Sequence, residues 1–245
     1  MKINKLMQLL KDNARADAAP AALRCEVADD GAHVYVYDVI DSYWGASAAS
    51  LVSALASAGD KTVHMHINSP GGDVFEARAM AAAIVGYAGK VVAHIDGVAA
   101  SAATYLALAA SEVRMTDGGL FMVHNSWTMA MGNRTELRST ADLLEKIDGT
   151  ISADYQRKTG KSADEIAALM DAETWMTAQE ALDAGFIDAI DTNTKGEKAS
   201  AQWNLSAYAN APEFKEPEKE PEPDLTEKVA AQLAHNRNRI RLFQI

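Results

Sequence analysis

A single cysteine, Cys25, stands in the 245 residues, so no internal disulfide can form and a reducing compartment is expected. Cys25 lies in a polar stretch with no motif around it and reads as structural. No apolar run approaches the roughly 20 residues that span a bilayer, so no membrane segment is expected. Met1–Asp12 (MKINKLMQLLKD) looks amphipathic, yet it is too short and too charged for a secretory signal. It is expected to pack on a neighbouring subunit or stay mobile, and the protein to be cytoplasmic. Basic excess is also missing. A formal charge of −11 argues against nucleic acid or an anionic membrane as the main partner. Neither G-x-G-x-x-G nor a P-loop is present, and no H-E-x-x-H or Cys/His cluster occurs. No metal and no cofactor are therefore expected. G-x-S-x-G is absent too, which excludes the α/β-hydrolase signature.

What the chain does have is apolar content of 48%, enough for one full core with appendages. Strand-type runs at Ala32–Tyr37, Thr62–Ile67, Lys90–Ile95, Val113–Met115 and Leu120–Val123 alternate with helical patterns. Those patterns cover Ala46–Gly59, Asp73–Tyr87, Ser101–Ala110, Thr135–Thr159, Ser162–Met170 and Ala178–Ala184. On the long helix, Leu137, Leu143, Leu144, Ile147 and Ile151 form an apolar stripe. The alternation predicts an α/β fold with partly parallel pairing, built of stacked ββα units. Residues 1–30 read as an N-terminal extension, 31–192 as the domain, and 193–245 as a tail. Within the tail, Glu213–Asp224 (EFKEPEKEPEPD) reads as an extended linker and Leu225–Ile245 as a short helix.

Two short segments carry the chemistry. Asn68-Ser69-Pro70-Gly71-Gly72-Asp73 closes a strand with two glycines, which permit unusual φ and close backbone approach. Ser101 lies among Ala99, Ala100, Ala102 and Ala103, after an Asp96-Gly97 pair read as a turn, and opens a helix. A nucleophilic serine needs a base and oxyanion donors, and the first amides of a helix are such donors. Read alone, Ser101 is also an ordinary N-cap and Gly71-Gly72 an ordinary tight turn. His124 ends the run Leu120–Val123, where it can offer one nitrogen to a serine and the other to a carboxylate, or serve as a structural histidine. Asp171 and Glu173, two residues apart, are the candidate acids; a solvated acidic loop before the Thr177 cap is the alternative.

Taken in order, these segments resemble the Clp-type serine peptidases over roughly Val34–Ile190. The likeness runs through Ile67–Gly72, Gly97–Ser101, Met122–Asn125 and Thr177–Ala181 followed by Gly185–Asp188. Asp38–Trp44, Gly72–Phe75 and Glu173–Trp175 look more like the head maturation proteases of tailed phages. The resemblance implies a ClpP/crotonase-like fold with a projecting handle helix over 135–159 and a flexible acidic C-terminal tail. It makes Ser101 the nucleophile, His124 the general base, and the amides of Gly72 and Ala102 the oxyanion hole. Anchored on the Thr177–Asp188 segment, Glu173 falls where the family has aspartate, with Asp171 as rival and a Ser–His dyad as a further option. A polypeptide substrate would add as a strand between Gly71-Gly72 and the residues after His124, Gly71 and Asn125 included. It also implies a homo-oligomer of rings, with an ATP-driven unfoldase compatible but not required, and scaffold or capsid chains as substrates. Two rivals compete: an acyl-CoA enzyme of the crotonase group, and an inactive scaffold protein on the same fold.

Overall fold

The computed structural model describes residues 5–13, 23–192 and 203–212. Its elements in chain order are α1 (Lys5–Asn13), β1 (Arg24–Val27), β2 (Ala32–Val36), α2 (Ala48–Ala58), β3 (Val63–Ser69), α3 (Val74–Val85), β4 (Val91–Ala100) and α4 (Ala102–Ala109). There follow β5 (Glu112–Thr116), β6 (Leu120–Val123), α5 (Arg134–Thr159), α6 (Ala163–Asp171), β7 (Thr174–Thr177), α7 (Ala178–Asp183) and β8 (Ala189–Asp191). The fold is α/β, as expected.

Alternation decides the sheet. Val34, Met65 and Ile95 are fully buried, and their neighbours His33, His64, His66 and His94 on β2, β3 and β4 are half-buried on the other face. β2, β3, β4, β5 and β8 run parallel in that order, with β1 antiparallel at the edge. On the apolar face, Leu51 and Leu55 of α2, Met80 of α3 and Leu106 of α4 close the core. The four histidines form a row on the opposite face. His33 Nδ1 lies 3.1 Å from His66 Nε2, and His64 Nδ1 lies 3.0 Å from His94 Nε2. His66 Nδ1 meets Asp96 at 2.8 Å. Burial, then the neighbouring imidazoles, hold the pKa values of His64 and His94 below the usual histidine value.

β4 positions the site. Its first half, Val92–Ile95, pairs with β5, and its end, Val98–Ala100, pairs with β6. The Asp96-Gly97 pair, expected to turn, is therefore mid-strand. Side chains explain it: Asp96 takes the Tyr37 hydroxyl and His66, and Asn68 Oδ1 accepts from the Val98 amide at 3.1 Å. A Cβ at residue 97 would sit 2.7 Å from Asn68 Oδ1, so Gly97 serves a close approach rather than a bend. β7 returns antiparallel to β6.

Helix starts follow their caps. Asp73 accepts from Phe75 and Glu76, and Asn133 with Glu136, Ser162 with Glu165 and Thr177 with Glu180 form capping boxes. α5 packs only at its C-terminal part, where Ile151 and Tyr155 are buried; Leu137 and Leu143 of the expected stripe are exposed.

Described residues from both regions expected to lie outside 31–192 pack with the domain. Residues assigned to the 1–30 extension include β1, paired with β2, and Leu9 of α1, which is buried. Residues 203–211, assigned to the tail, pack back on the domain. Leu9, Leu205, Ala207 and Tyr208 form a second apolar cluster with Val98, Ala100 and Met122. Asn13 and Asn204 tie its rim by reciprocal bonds of 2.9 and 2.7 Å. α1 thus packs within its own chain. The Glu213–Asp224 linker and the Leu225–Ile245 helix lie outside the described residues.

Candidate active site

Ser101 is the hinge between β4 and α4. Its amide donates to Met122 O at 2.9 Å and its φ is +54° with ψ −124°. That pair of angles belongs to the first central residue of a type II′ turn, where glycine is usual, and costs a side chain about 1–3 kcal/mol. The strained strand–serine–helix geometry therefore exists here without the glycines of the familiar motif. Small neighbours make room: Ala100 and Ala103 are fully buried and Ala102 nearly so. The glycine turn closes on the same point. A Cβ at Gly71, whose φ is +90°, would meet Ala100 O at 2.5 Å and Ser101 Cβ at 2.9 Å.

His124 arrives by register. Ala100 pairs with Met122, so the residue just beyond β6 comes level with the start of α4. His124 Nε2 lies 2.6 Å from Ser101 Oγ. Trp127 Nε1 also donates to His124 Nε2, at 3.2 Å. An indole N–H can only donate, so Nε2 carries a lone pair, its proton sits on Nδ1, and the serine hydroxyl donates toward the imidazole. That is the protonation a general base requires.

Ala102 is the first residue of α4, so its amide has no acceptor within the helix. In the glycine turn, Gly71 O accepts from Ile40 N, and Asp73 N donates to Ile40 O, which leaves the Gly72 amide between them. Beside Ser101, Gly72 and His124 lies a cavity of about 200 Å³, lined mainly by Val74, Phe75, Leu143, Leu144, Ile147 and Ile151. It fits a large apolar side chain.

The acids are engaged elsewhere. Asp171 accepts from Asn125 Nδ2 at 2.6 Å, so the two residues expected as rival acid and substrate contact hold each other. Glu173, itself at φ +48°, accepts from the amides of Ala209 at 3.1 Å and Asn210 at 2.7 Å. The structure thus brings Ser101, His124, Gly71, Gly72 and Ala102 together, and directs the hydrogen bonds of both carboxylates to other partners.

Sequence reasoning missed the wall opposite the cavity. Tyr208 stands edge-on to His124, with ring centres 5.4 Å apart, and its ring also meets Trp127 and Trp175. Its hydroxyl donates to Pro70 O. Burial drives the phenol pKa up, with the neighbouring Ser101 side chain opposing it. One signal was available: Trp203, Leu205 and Ala207 alternate with polar residues in a tail otherwise free of pattern.

A family model described as Clp protease matches residues 26–194. The ATP-dependent Clp protease proteolytic subunit 1 of Protochlamydia amoebophila is 32% identical over 170 residues, covering 66% of this chain and 81% of that protein. The ATP-dependent Clp protease proteolytic subunit of Ligilactobacillus salivarius is 30% identical over 160 residues, 64% and 81% of the two chains. Subunit 1 of Leifsonia xyli subsp. xyli is 29% identical over 145 residues, 58% and 74%.

Proposed function

The chain belongs to the Clp protease family, and from that membership we propose that it is a serine endopeptidase working through an acyl-enzyme on Ser101. The observation that carries the reading is the 2.6 Å contact between Ser101 Oγ and His124 Nε2. In the first step Ser101 Oγ attacks the scissile carbonyl while its proton passes to His124 Nε2. The amides of Gly72 and Ala102 hold the developing oxyanion. The C–N bond breaks as His124 returns the proton to the leaving amine. Water, deprotonated by His124, then attacks the ester and regenerates the hydroxyl. The cavity takes an apolar side chain next to the scissile bond, and the substrate strand lies between the glycine turn and the residues after His124.

Glu173 is the acid proposed to orient His124, on its place ahead of the Thr177 cap, with a dyad operating while its carboxylate is held by Ala209 and Asn210. Glu173→Gln is expected to lower turnover less than His124→Ala and more than Asp171→Asn. The reverse order of the last two gives the role to Asp171.

Within the class, the proposal is a head maturation protease that trims scaffold or capsid chains, in the host cytoplasm or the prohead. It is supported by the likeness of Asp38–Trp44, Gly72–Phe75 and Glu173–Trp175 noted above. Self-association is supported by the half of α5 that leaves Leu137 and Leu143 exposed. The relatives are named ATP-dependent; for this chain an ATP-driven partner stays compatible and not required.

Fluorophosphonate labelling and peptide hydrolysis test the reading. Label on Ser101 is expected, and Ser101→Ala or His124→Ala should each lower hydrolysis by roughly four to six orders of magnitude. Hydrolysis that persists in Ser101→Ala overturns the proposal. Retention of acyl-CoA without labelling would favour the crotonase alternative.

A further inference from the structure

The wall opposite the cavity is built by residues far along the chain, and the reaction just described does not use them. We propose that residues 203–211 are an intramolecular ligand of the site. Tyr208 fills a subsite made by His124, Trp127 and Trp175, that subsite takes a tyrosine side chain of a peptide, and its occupation from within the chain holds Ser101 back. The inference rests on the peptidase reading and names a feature of its substrates.

The contacts are those by which proteins hold peptides. Tyr208 is the aromatic anchor, 5% exposed, with ring centres 5.4, 6.0 and 5.7 Å from those of His124, Trp127 and Trp175. Its hydroxyl donates to Pro70 O, the carbonyl directly before the two glycines. The next two backbone amides, of Ala209 and Asn210, take the Glu173 carboxylate, and Asn210 Nδ2 donates to Ala172 O at 2.8 Å. One run of residues thus stands edge-on to the base and draws off the candidate acid. Asn204, Ala209 and Asn210 are exposed, while Leu205 and Ala207 are buried beside the anchor. Being part of the same chain, it binds at the high effective concentration of a tether, which a substrate in trans must outcompete.

Fluorophosphonate labelling of the full chain decides it, with Ser101→Ala as the blank. Tyr208→Ala should label Ser101 about tenfold faster than the parent, or more. Asn210→Pro, at an exposed position, removes one amide from Glu173 without opening a core cavity and should speed labelling to a smaller degree. The octapeptide Leu-Ser-Ala-Tyr-Ala-Asn-Ala-Pro, the sequence of residues 205–212, should slow labelling of Tyr208→Ala. The same peptide with alanine for tyrosine should not. Equal or slower labelling of both variants, with the parent labelled, overturns the inference alone and makes the segment a permanent strap. Failure of every form to label at Ser101 overturns the peptidase reading with it.

Discussion

Val98 and Ala100 turn to one side of β4 and Ala99 to the other, and the chain covers the two sides by different means. On the side of Ala99 lies the large core, closed by helices that directly follow or precede the strands they cover. On the side of Val98 and Ala100 lies a small cluster whose lid comes from both ends of the compact unit: Leu9, Leu205, Ala207 and Tyr208. Ser101 sits at the end of the strand that separates them. Local contacts in a large core open only when the domain unfolds. A small lid held by a few side chains can open by itself, well below the global unfolding free energy.

The largest effect that would sharpen this contrast is on stability. Phe121 is fully buried and packs on Phe186 with ring centres 5.1 Å apart. Phe121→Ala should cost about 3–5 kcal/mol of global stability in urea unfolding. Leu205→Ala, also in a buried position, should move that transition far less while hydrogen exchange at Ala209 and Asn210 accelerates. Equal losses for the two variants would break the distinction and make one cooperative core of both. Next comes the cavity side. Ile147→Asp, placing a charge among apolar walls, should lower kcat/KM by about 10- to 100-fold for peptides with a large apolar residue at the scissile bond. Peptides with a small residue there should suffer less, and an indifferent profile would remove the cavity from substrate selection.

The smallest effect concerns the histidine row on the far face. His64 and His94 have folded pKa values below the ordinary histidine value of 6.5. The unfolded chain then binds more protons just below that pH, so stability present above about 6.5 should decline as pH falls through the folded values. The charged neighbours Asp30, Asp96 and Asp191 raise these values and soften the decline; His33 and His66 lower them and deepen it. His94→Gln should flatten urea midpoints measured between neutral and mildly acid pH, and an unchanged slope would remove His94 as the source.

The large core was legible because its strands alternate and its helices carry capping residues. Ser101, His124 and the glycine turn were legible as segments, since strand ends and helix starts are where such chemistry is built. Three things were not. The extension of β4 through Asp96-Gly97 depends on Tyr37, His66 and Asn68, partners distant in sequence that suppress the usual turn chemistry of that pair. β1 is four residues long, with two charged side chains, and gains its place only by pairing with β2. The lid at 203–211 offers only the brief alternation of Trp203, Leu205 and Ala207, and its meaning lies in the groove that receives it. The carboxylate question has the same origin: spacing located Asp171 and Glu173, but which groups bond them depends on Asn125 and on a lid the pattern hid.

The backbone at Ser101 carries a consequence of its own. A left-handed φ beneath a side chain is a standing burden on the folded state, and here it sets the hydroxyl that meets His124. On the peptidase reading proposed above, that burden is what presents the nucleophile to a substrate.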